Sequence, residues 1–64
     1  MTPAEIKQAR QSLGLTQSDA ARLLGYGSQT RISEIESGKR SASESVVRLL
    51  SAYLAGYRPS DWAQ

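Results

Sequence analysis

The side chains best suited to specific hydrogen bonding are concentrated in one short stretch in the middle of the chain. Glutamine can form a two-bond pair with adenine and arginine with guanine, glutamate can accept from cytosine, and a threonine methyl can contact thymine. The residues of these types, with one serine, are Gln29, Thr30, Arg31, Ser33 and Glu34. They are candidates for contacts with the base edges of double-stranded DNA, although serine and threonine are equally common on an ordinary solvated surface.

Two features that suit phosphate groups flank this stretch. Gln17 stands in the first turn of a predicted helix, where free backbone N–H groups and the positive end of the helix dipole favour an anion. Lys39 and Arg40 form a basic pair on the other side. Phosphate contacts position a protein on DNA whereas base contacts specify the sequence, and the pattern fits this division. The combination, more than any one residue, predicts DNA binding.

Four helices are predicted to hold these residues, because the chain repeats the signals that begin and end helices. Thr2 and Thr16 each precede an acidic residue, Glu5 and Asp19, at the spacing of a capping box. Glycines stand where the first three helices should end. The predicted helices cover about residues 3–13, 17–24, 29–37 and 42–55, and a short turn at 60–64 is a candidate fifth element.

The third predicted helix presents the polar stretch on its outer side. Ile32 and Ile35 fall on one side at helical spacing and define the buried face. The residues opposite are Thr30, Ser33, Glu34 and Ser37. The fourth helix, which either Ser41 or Ser43 caps, carries the longest apolar stripe. We therefore expect an all-α fold, a compact bundle of four to five helices.

Composition argues against several other classes of function. The 64 residues include no cysteine and no histidine, so disulfides, cysteine zinc sites and the commonest general base are excluded. Glu34 and Glu36 point to different sides of a helix, and no glycine-rich phosphate loop follows Gly25. We expect no enzyme activity, cofactor, metal or small-molecule ligand. No apolar run suits a membrane span or signal peptide, which predicts a cytoplasmic location and no membrane partner.

Two segments of the sequence resemble the phage repressor and Cro family, also called the XRE class. They are LTQSDAARLLG at residues 15–25 and ISEIESGKR at residues 32–40. The resemblance extends from about Ile6 to Gly56. It implies a lambda-repressor-like helix-turn-helix domain whose third helix enters the major groove of DNA. We assign residues 1–58 to this domain and residues 59–64 to a C-terminal tail that is a candidate dimer contact.

The resemblance also implies roles for individual residues. The side chains implied to contact bases are Gln29, Thr30 and Glu34, with Arg31 and Ser33 as neighbours. The side chains assigned to backbone phosphates are Gln17, Ser28, Ser37, Lys39 and Arg40. Arg10 and Glu36 match an ion pair that, in relatives, ties the first helix to the end of the third. We expect this pair to be structural, because breaking it would leave a charge uncompensated.

Two features depart from the family pattern. The turn at residues 25–28 is one residue longer than the commonest spacing, which leaves the register of the base-contacting residues open. Glu34 is acidic on a surface that should face phosphates. It either accepts a hydrogen bond from a cytosine amino group or pairs with Arg31 at i, i+3, and the sequence does not distinguish these two roles.

Three of the four aromatic residues lie in the last dozen positions. Aromatic residues are enriched at protein interfaces, and helix-turn-helix regulators bind paired half-sites as twofold dimers. The candidate dimer contacts are Tyr53, Tyr57 and Trp62. Alternatively, Tyr53 and Trp62 fold back over the fourth helix and complete the core. Tyr26, in the turn, has a hydroxyl that can reach a phosphate.

The predicted function is that of a sequence-specific transcriptional regulator that binds a pseudo-palindromic DNA operator as a homodimer. Repression, often at its own promoter, is expected because so short a chain leaves no room for a ligand-sensing domain. Activation through contact with polymerase is the alternative mode of regulation, and repression is the simpler one. Compact relatives of this kind occur in phages and other mobile elements. The main alternative is an antitoxin-like or adaptor module whose helices bind a protein partner.

Overall fold

A computed structural model describes residues 1–62 and contains four helices. These are α1 (Pro3–Ser12), α2 (Gln17–Leu24), α3 (Gln29–Ser37) and α4 (Glu44–Leu54). No strand occurs within residues 1–62, and the prediction of an all-α bundle is confirmed. The candidate fifth element begins as a turn at residues 60–62, where the Trp62 N–H donates to the Pro59 carbonyl at 3.1 Å. Its last two positions, 63 and 64, lie outside the described residues.

Both predicted capping boxes are present. The Thr2 hydroxyl accepts from the Glu5 N–H at 3.1 Å, and the Glu5 carboxylate accepts from the Thr2 N–H at 2.7 Å. Thr16 and Asp19 repeat the exchange at 3.0 and 3.2 Å. Each box satisfies N–H groups that the first turn of a helix otherwise leaves unpaired. The starts of α1 and α2 are therefore fixed by local chemistry.

The fourth helix begins two residues later than predicted. Ser43 is its N-cap, and the Ser43 hydroxyl accepts from the Val46 N–H at 3.2 Å. Of the two serines that the sequence offered, Ser41 therefore remains in the connecting loop. Ser28 occupies the N-cap position of α3 but makes no side-chain capping bond. The hydroxyl of Ser28 is therefore not used to begin the helix.

Helix α3 is held on both sides by apolar packing. Ile35 belongs to a core cluster with residues of α1 and α4, and Ile32 belongs to a second cluster with residues of α2. The buried apolar side chains are Ile6, Ala9, Leu15, Ala20, Ala21, Ile32, Ile35, Val46, Leu50 and Tyr53. Because both isoleucines are only 2% exposed, α3 cannot rotate about its axis without losing core contacts.

The connection between α2 and α3 begins with a left-handed residue. Gly25 has φ of +85°, a conformation that glycine adopts without steric cost, and this ends α2. The next N–H, of Tyr26, donates to the Ala21 carbonyl at 2.8 Å. The half-buried Tyr26 side chain then packs against both core clusters. The longer turn is therefore anchored to the core.

The C-terminal segment folds back on α4, which corrects one predicted role. Tyr53 is 2% exposed, and its hydroxyl donates to the Leu23 carbonyl at 3.3 Å. Burial raises the pKa of this phenol. The half-buried Trp62 ring packs edge-on against Tyr53 with centroids 5.0 Å apart, and the Arg58 guanidinium lies 4.3 Å from the Trp62 ring centre. Tyr53 is thus a core residue, and its assignment to a dimer contact is wrong because little of it can touch a second chain.

Candidate nucleic-acid interface

The outer face of α3 is polar and uncovered. Its inner face carries the two buried isoleucines, and the opposite side is open to solvent. The exposed polar residues of the helix are Gln29, Thr30, Arg31, Ser33 and Ser37. Glu34 is the one predicted base-contacting residue that is half-buried. Within residues 1–62, no element covers this face, so a ligand as large as a DNA duplex can approach it.

The start of α2 stands beside the start of α3. The Ser18 hydroxyl and the Gln29 amide oxygen are 3.4 Å apart, a weak hydrogen bond that joins the two helices. Gln17, half-buried at the first position of α2, donates from Nε2 to the Glu36 carboxylate at 3.3 Å. A glutamine amide has two N–H donors, so one remains available to a ligand. Gln17, which is a predicted phosphate contact, is therefore oriented by its hydrogen bond to a residue of α3.

A partly buried ion pair ties α1 to the end of α3. Arg10 donates from Nε to Glu36 Oε2 at 2.6 Å and from Nη2 to Oε1 at 3.1 Å. Its remaining terminal nitrogen, Nη1, donates to the Leu15 carbonyl at 2.9 Å. The side chains are 12% and 5% exposed, respectively. With Gln17 also bound to Glu36, this cluster links α1, α2 and α3 behind the polar face.

The basic loop after α3 is folded back onto Glu34. Gly38 ends the helix with φ of +89°, and the backbone N–H groups of Lys39 and Arg40 both donate to the Glu34 carbonyl, at 2.9 and 3.3 Å. The Arg40 guanidinium then donates to Glu34 Oε1 at 2.8 Å, and Arg31 Nε lies 3.8 Å from the same oxygen. Sequence reasoning offered Arg31 as a partner and missed Arg40, which is closer.

Tyr26 has a positioning role that the sequence did not indicate. The Arg31 guanidinium carbon lies 5.7 Å from the centre of the Tyr26 ring, within the range of a cation–π contact. Arg31 is thus bordered by an aromatic ring and by Glu34. These two contacts restrict the position of a side chain that is 45% exposed. Tyr26 and Arg31 are five residues apart, and a turn separates them. The i, i+3 and i, i+4 spacing of neighbours on one helix therefore does not predict their contact.

The remaining candidate phosphate contacts lie around the edge of the same surface. Ser28, Ser37 and Lys39 are exposed, and the Ser37 hydroxyl donates to the Glu34 carbonyl at 3.1 Å. The Lys39 ammonium has no hydrogen-bond or ion-pair partner among residues 1–62. Sequence reasoning also missed Lys7, which lines a groove with Gln17 and Ser37. Its position three residues before Arg10, on the same face of α1, is the signal that could have identified it.

Residues 1–62 contain no group of three or more acidic, cysteine or histidine side chains arranged to hold a metal ion. None of the four helices described above is long and apolar enough to cross a membrane.

Comparison with known families agrees with the geometry. A family model described as helix-turn-helix matches residues 6–62, which is nearly the whole chain. Comparisons with curated proteins and with solved structures found no match. The matched range contains all of α2, α3 and α4 and the ion pair behind them. The chain belongs to the XRE-type helix-turn-helix family of lambda repressor and Cro-like DNA-binding regulators.

Proposed function

We propose that this protein is a sequence-specific repressor that occupies a pseudo-palindromic operator as a homodimer and inserts α3 into the major groove. The observation that carries the proposal is the uncovered polar face of α3, fixed in orientation by Ile32 and Ile35. A helix diameter fits the major groove, where each base pair presents a distinct pattern of donors and acceptors. A regulator bound there prevents other proteins from using the same DNA.

The proposed roles of the polar residues follow from their exposure to solvent. Gln29, Thr30, Arg31 and Ser33 face outward on α3 and are proposed to contact bases. The proposed backbone contacts are Gln17, Ser28, Ser37, Lys39 and Arg40. Contacts with phosphates fix the register of the protein on the duplex, and contacts with bases select the sequence.

Glu34 is proposed to organise the two arginines instead of contacting a base. One of its oxygens already accepts from Arg40 at 2.8 Å and lies 3.8 Å from Arg31. A carboxylate between two guanidiniums limits the electrostatic cost of an acidic residue close to DNA. This favours the ion-pair role over hydrogen bonding with cytosine.

The main test separates base contacts from phosphate contacts. Selection from a randomised duplex identifies the preferred site, and binding is then measured for Gln29→Ala and Lys39→Ala. Gln29→Ala should relax the preference at one base position by ~1–3 kcal/mol, and Lys39→Ala should weaken binding to all sequences alike. In a salt titration, Lys39→Ala should also flatten the slope of log K against log salt by about one. Identical effects of both changes on every sequence would contradict the proposal.

The homodimer part of the proposal rests on Tyr57 and Trp62. Tyr57 is 55% exposed and stacks on the buried Tyr53 ring, with centroids 6.0 Å apart, and the exposed Leu54 lies on the same segment. Such an aromatic patch is suited to a contact between copies. Tyr57→Ser should raise the concentration needed for cooperative occupancy about tenfold, since truncating a central interface aromatic costs more than ~1 kcal/mol.

Sedimentation with a duplex that carries two half-sites measures this effect. A duplex with a single half-site is the control, because the second copy then has no DNA to bind. A complex that remains at one copy per two-half-site duplex at all concentrations would remove the homodimer from the proposal. The salt titration described for Lys39→Ala also separates DNA binding from an adaptor role. A protein-binding module has no steep dependence on salt in its interaction with DNA.

A further inference from the structure

The guanidinium of Arg31 is not used in the folded protein. The other five arginines of the chain, which are Arg10, Arg22, Arg40, Arg48 and Arg58, each donate at least one side-chain hydrogen bond. Arg31 donates none within residues 1–62, so all five of its side-chain N–H donors remain available to a ligand. Its two terminal nitrogens form a planar fork that matches the O6 and N7 acceptors of guanine in the major groove.

The position of Arg31 on α3 makes the direction of its side chain important. It precedes the buried Ile32 by one residue, a rotation of ~100°, so it stands at the edge of the outer face. From there, an unrestrained guanidinium samples many rotamers and loses this freedom when it binds a base. A neighbour that restricts Arg31 before DNA arrives reduces that loss.

Of the two neighbours of Arg31, Glu34 does not fix its direction. Glu34 Oε1 lies 3.8 Å from Arg31 Nε, which is too long for a hydrogen bond, and the same oxygen accepts from Arg40 at 2.8 Å. Glu34 therefore attracts the guanidinium without setting an angle between the two groups.

The second neighbour, the Tyr26 ring, has a fixed position. Tyr26 is half-buried and packs against both core clusters. The Arg31 guanidinium carbon lies 5.7 Å from the centre of this ring, within the ~6 Å range of a cation–π contact. Such a contact uses the charge of the guanidinium and none of its N–H donors. The ring can therefore restrict Arg31 and leave its fork free.

We propose that Tyr26 is a specificity-determining residue, whose ring positions the Arg31 guanidinium to bind one guanine of the operator through two hydrogen bonds. The inference rests on the proposed function, because the guanine belongs to the duplex that α3 enters. It names the base that Arg31 selects. It also gives a role to the connection at residues 25–28, which is longer than the commonest spacing in the family. Tyr26 is a positioning residue, since it acts through Arg31.

The first measurement identifies the base that Arg31 contacts. Affinity is measured for the selected duplex and for duplexes that differ from it at one base pair each. Arg31→Ala should lose about tenfold in preference at a single guanine, within the range of one two-bond contact with a base. A preference that survives at every position in Arg31→Ala would overturn the inference, and so would a base other than guanine at the position that is lost.

A matched pair of rings isolates the role of Tyr26. Tyr26→Phe keeps an electron-rich ring, whereas pentafluorophenylalanine at the same position has nearly the same shape but lacks the negative ring face that attracts a cation. A chain of 64 residues is accessible to chemical synthesis, which introduces the fluorinated ring. Relative to Tyr26→Phe, the fluorinated protein should lose about twofold to fivefold in preference at the guanine that Arg31 contacts. Preference at the base that Gln29 contacts should be equal in the two proteins.

The same two rings are then compared in the Arg31→Ala background. The base preferences should now coincide, because the cation that distinguishes the rings has been removed. A purely structural role of the ring would change the preference at several positions, with or without Arg31. Thermal unfolding of each variant verifies that it is folded.

The outcomes separate this inference from the function on which it rests. If the two rings give equal preferences in the presence of Arg31, or if their difference persists in Arg31→Ala, Tyr26 does not position Arg31, although the DNA-binding proposal stands. If the wild type prefers no duplex over any other, the proposed function fails and the role of Tyr26 fails with it.

Discussion

Glu34 and Glu36 lie two residues apart on α3, and the structure gives them different surroundings. Glu36 is 5% exposed and is held by Arg10 at 2.6 Å, whereas Glu34 is 32% exposed and is held by Arg40 at 2.8 Å. Two residues along a helix correspond to a rotation of ~200°, so one carboxylate faces the core and the other faces the surface. The ion-pair distances are similar, and the difference is one of burial.

Burial decides what each pair contributes. Removing one partner of a buried pair leaves a charge without compensation in a medium that solvates it poorly. An exposed pair is screened by water and salt, and its partners can be replaced by solvent. The Arg10–Glu36 pair therefore fixes α1 against α3, and the Arg40–Glu34 pair can open when a phosphate approaches.

The largest expected effect is on stability. Glu36→Gln removes the counter-charge of Arg10 and weakens the link to Gln17, and we expect it to lower the free energy of unfolding by about 3 kcal/mol. Glu34→Gln, the matched change at the surface, should cost less than ~1 kcal/mol. Urea denaturation followed by far-ultraviolet circular dichroism measures both. Equal losses in the two variants would mean that burial does not distinguish the pairs.

A smaller effect is expected on DNA binding. Glu34→Gln frees the guanidiniums of Arg40 and Arg31 and removes a negative charge from a surface that is proposed to face phosphates. Affinity should rise for all duplexes alike, by about threefold to tenfold or ~1 kcal/mol. Fluorescence anisotropy with the selected duplex and with an arbitrary duplex provides the measurement. If the variant instead loses preference at a single cytosine position, Glu34 contacts a base.

The smallest effect comes from a third kind of carboxylate, the capping residues Glu5 and Asp19. A hydrogen bond from the Thr2 backbone lowers the pKa of Glu5 below its ordinary value of 4.5, and one from the Thr16 backbone lowers the pKa of Asp19 below 3.8. The folded protein thus favours the charged forms. Their contribution to stability is present above these ordinary values and is lost as pH falls through the lower values of the folded state.

The double variant Glu5→Gln, Asp19→Asn tests this contribution. It should be less stable than the wild type at neutral pH, and the difference should shrink as pH decreases below 4.5. Thermal unfolding across an acid pH series is the measurement. A difference that stays constant through the acid range would show that the capping carboxylates act without their charge.

Most of the fold could be predicted from local signals. The capping boxes at Thr2 and Thr16 and the glycines after α2 and α3 define helices without reference to the rest of the chain. The start of α4 was less certain because two serines two residues apart are equally good caps, and packing selects between them. Tyr53 was also predictable in part, since it continues the stripe of Val46 and Leu50 at helical spacing.

The contacts of the site were harder to predict, because several depend on the path of a loop. The pair between Arg40 and Glu34 spans six residues and forms only because Gly38 reverses the chain after α3. No periodic pattern contains that information. The Arg10–Glu36 pair crosses between two helices, and it was foreseen through resemblance to relatives and not through spacing.

The long connection after α2 has a consequence for how this regulator could change its target. Tyr26 packs against both core clusters and borders Arg31, so its ring supports the start of α3. Substitution of Tyr26 by a smaller apolar residue would let α3 tilt while every side chain on its outer face stayed the same. Under the proposed function, the DNA sequence that the protein prefers could therefore change through a residue that need not touch the DNA.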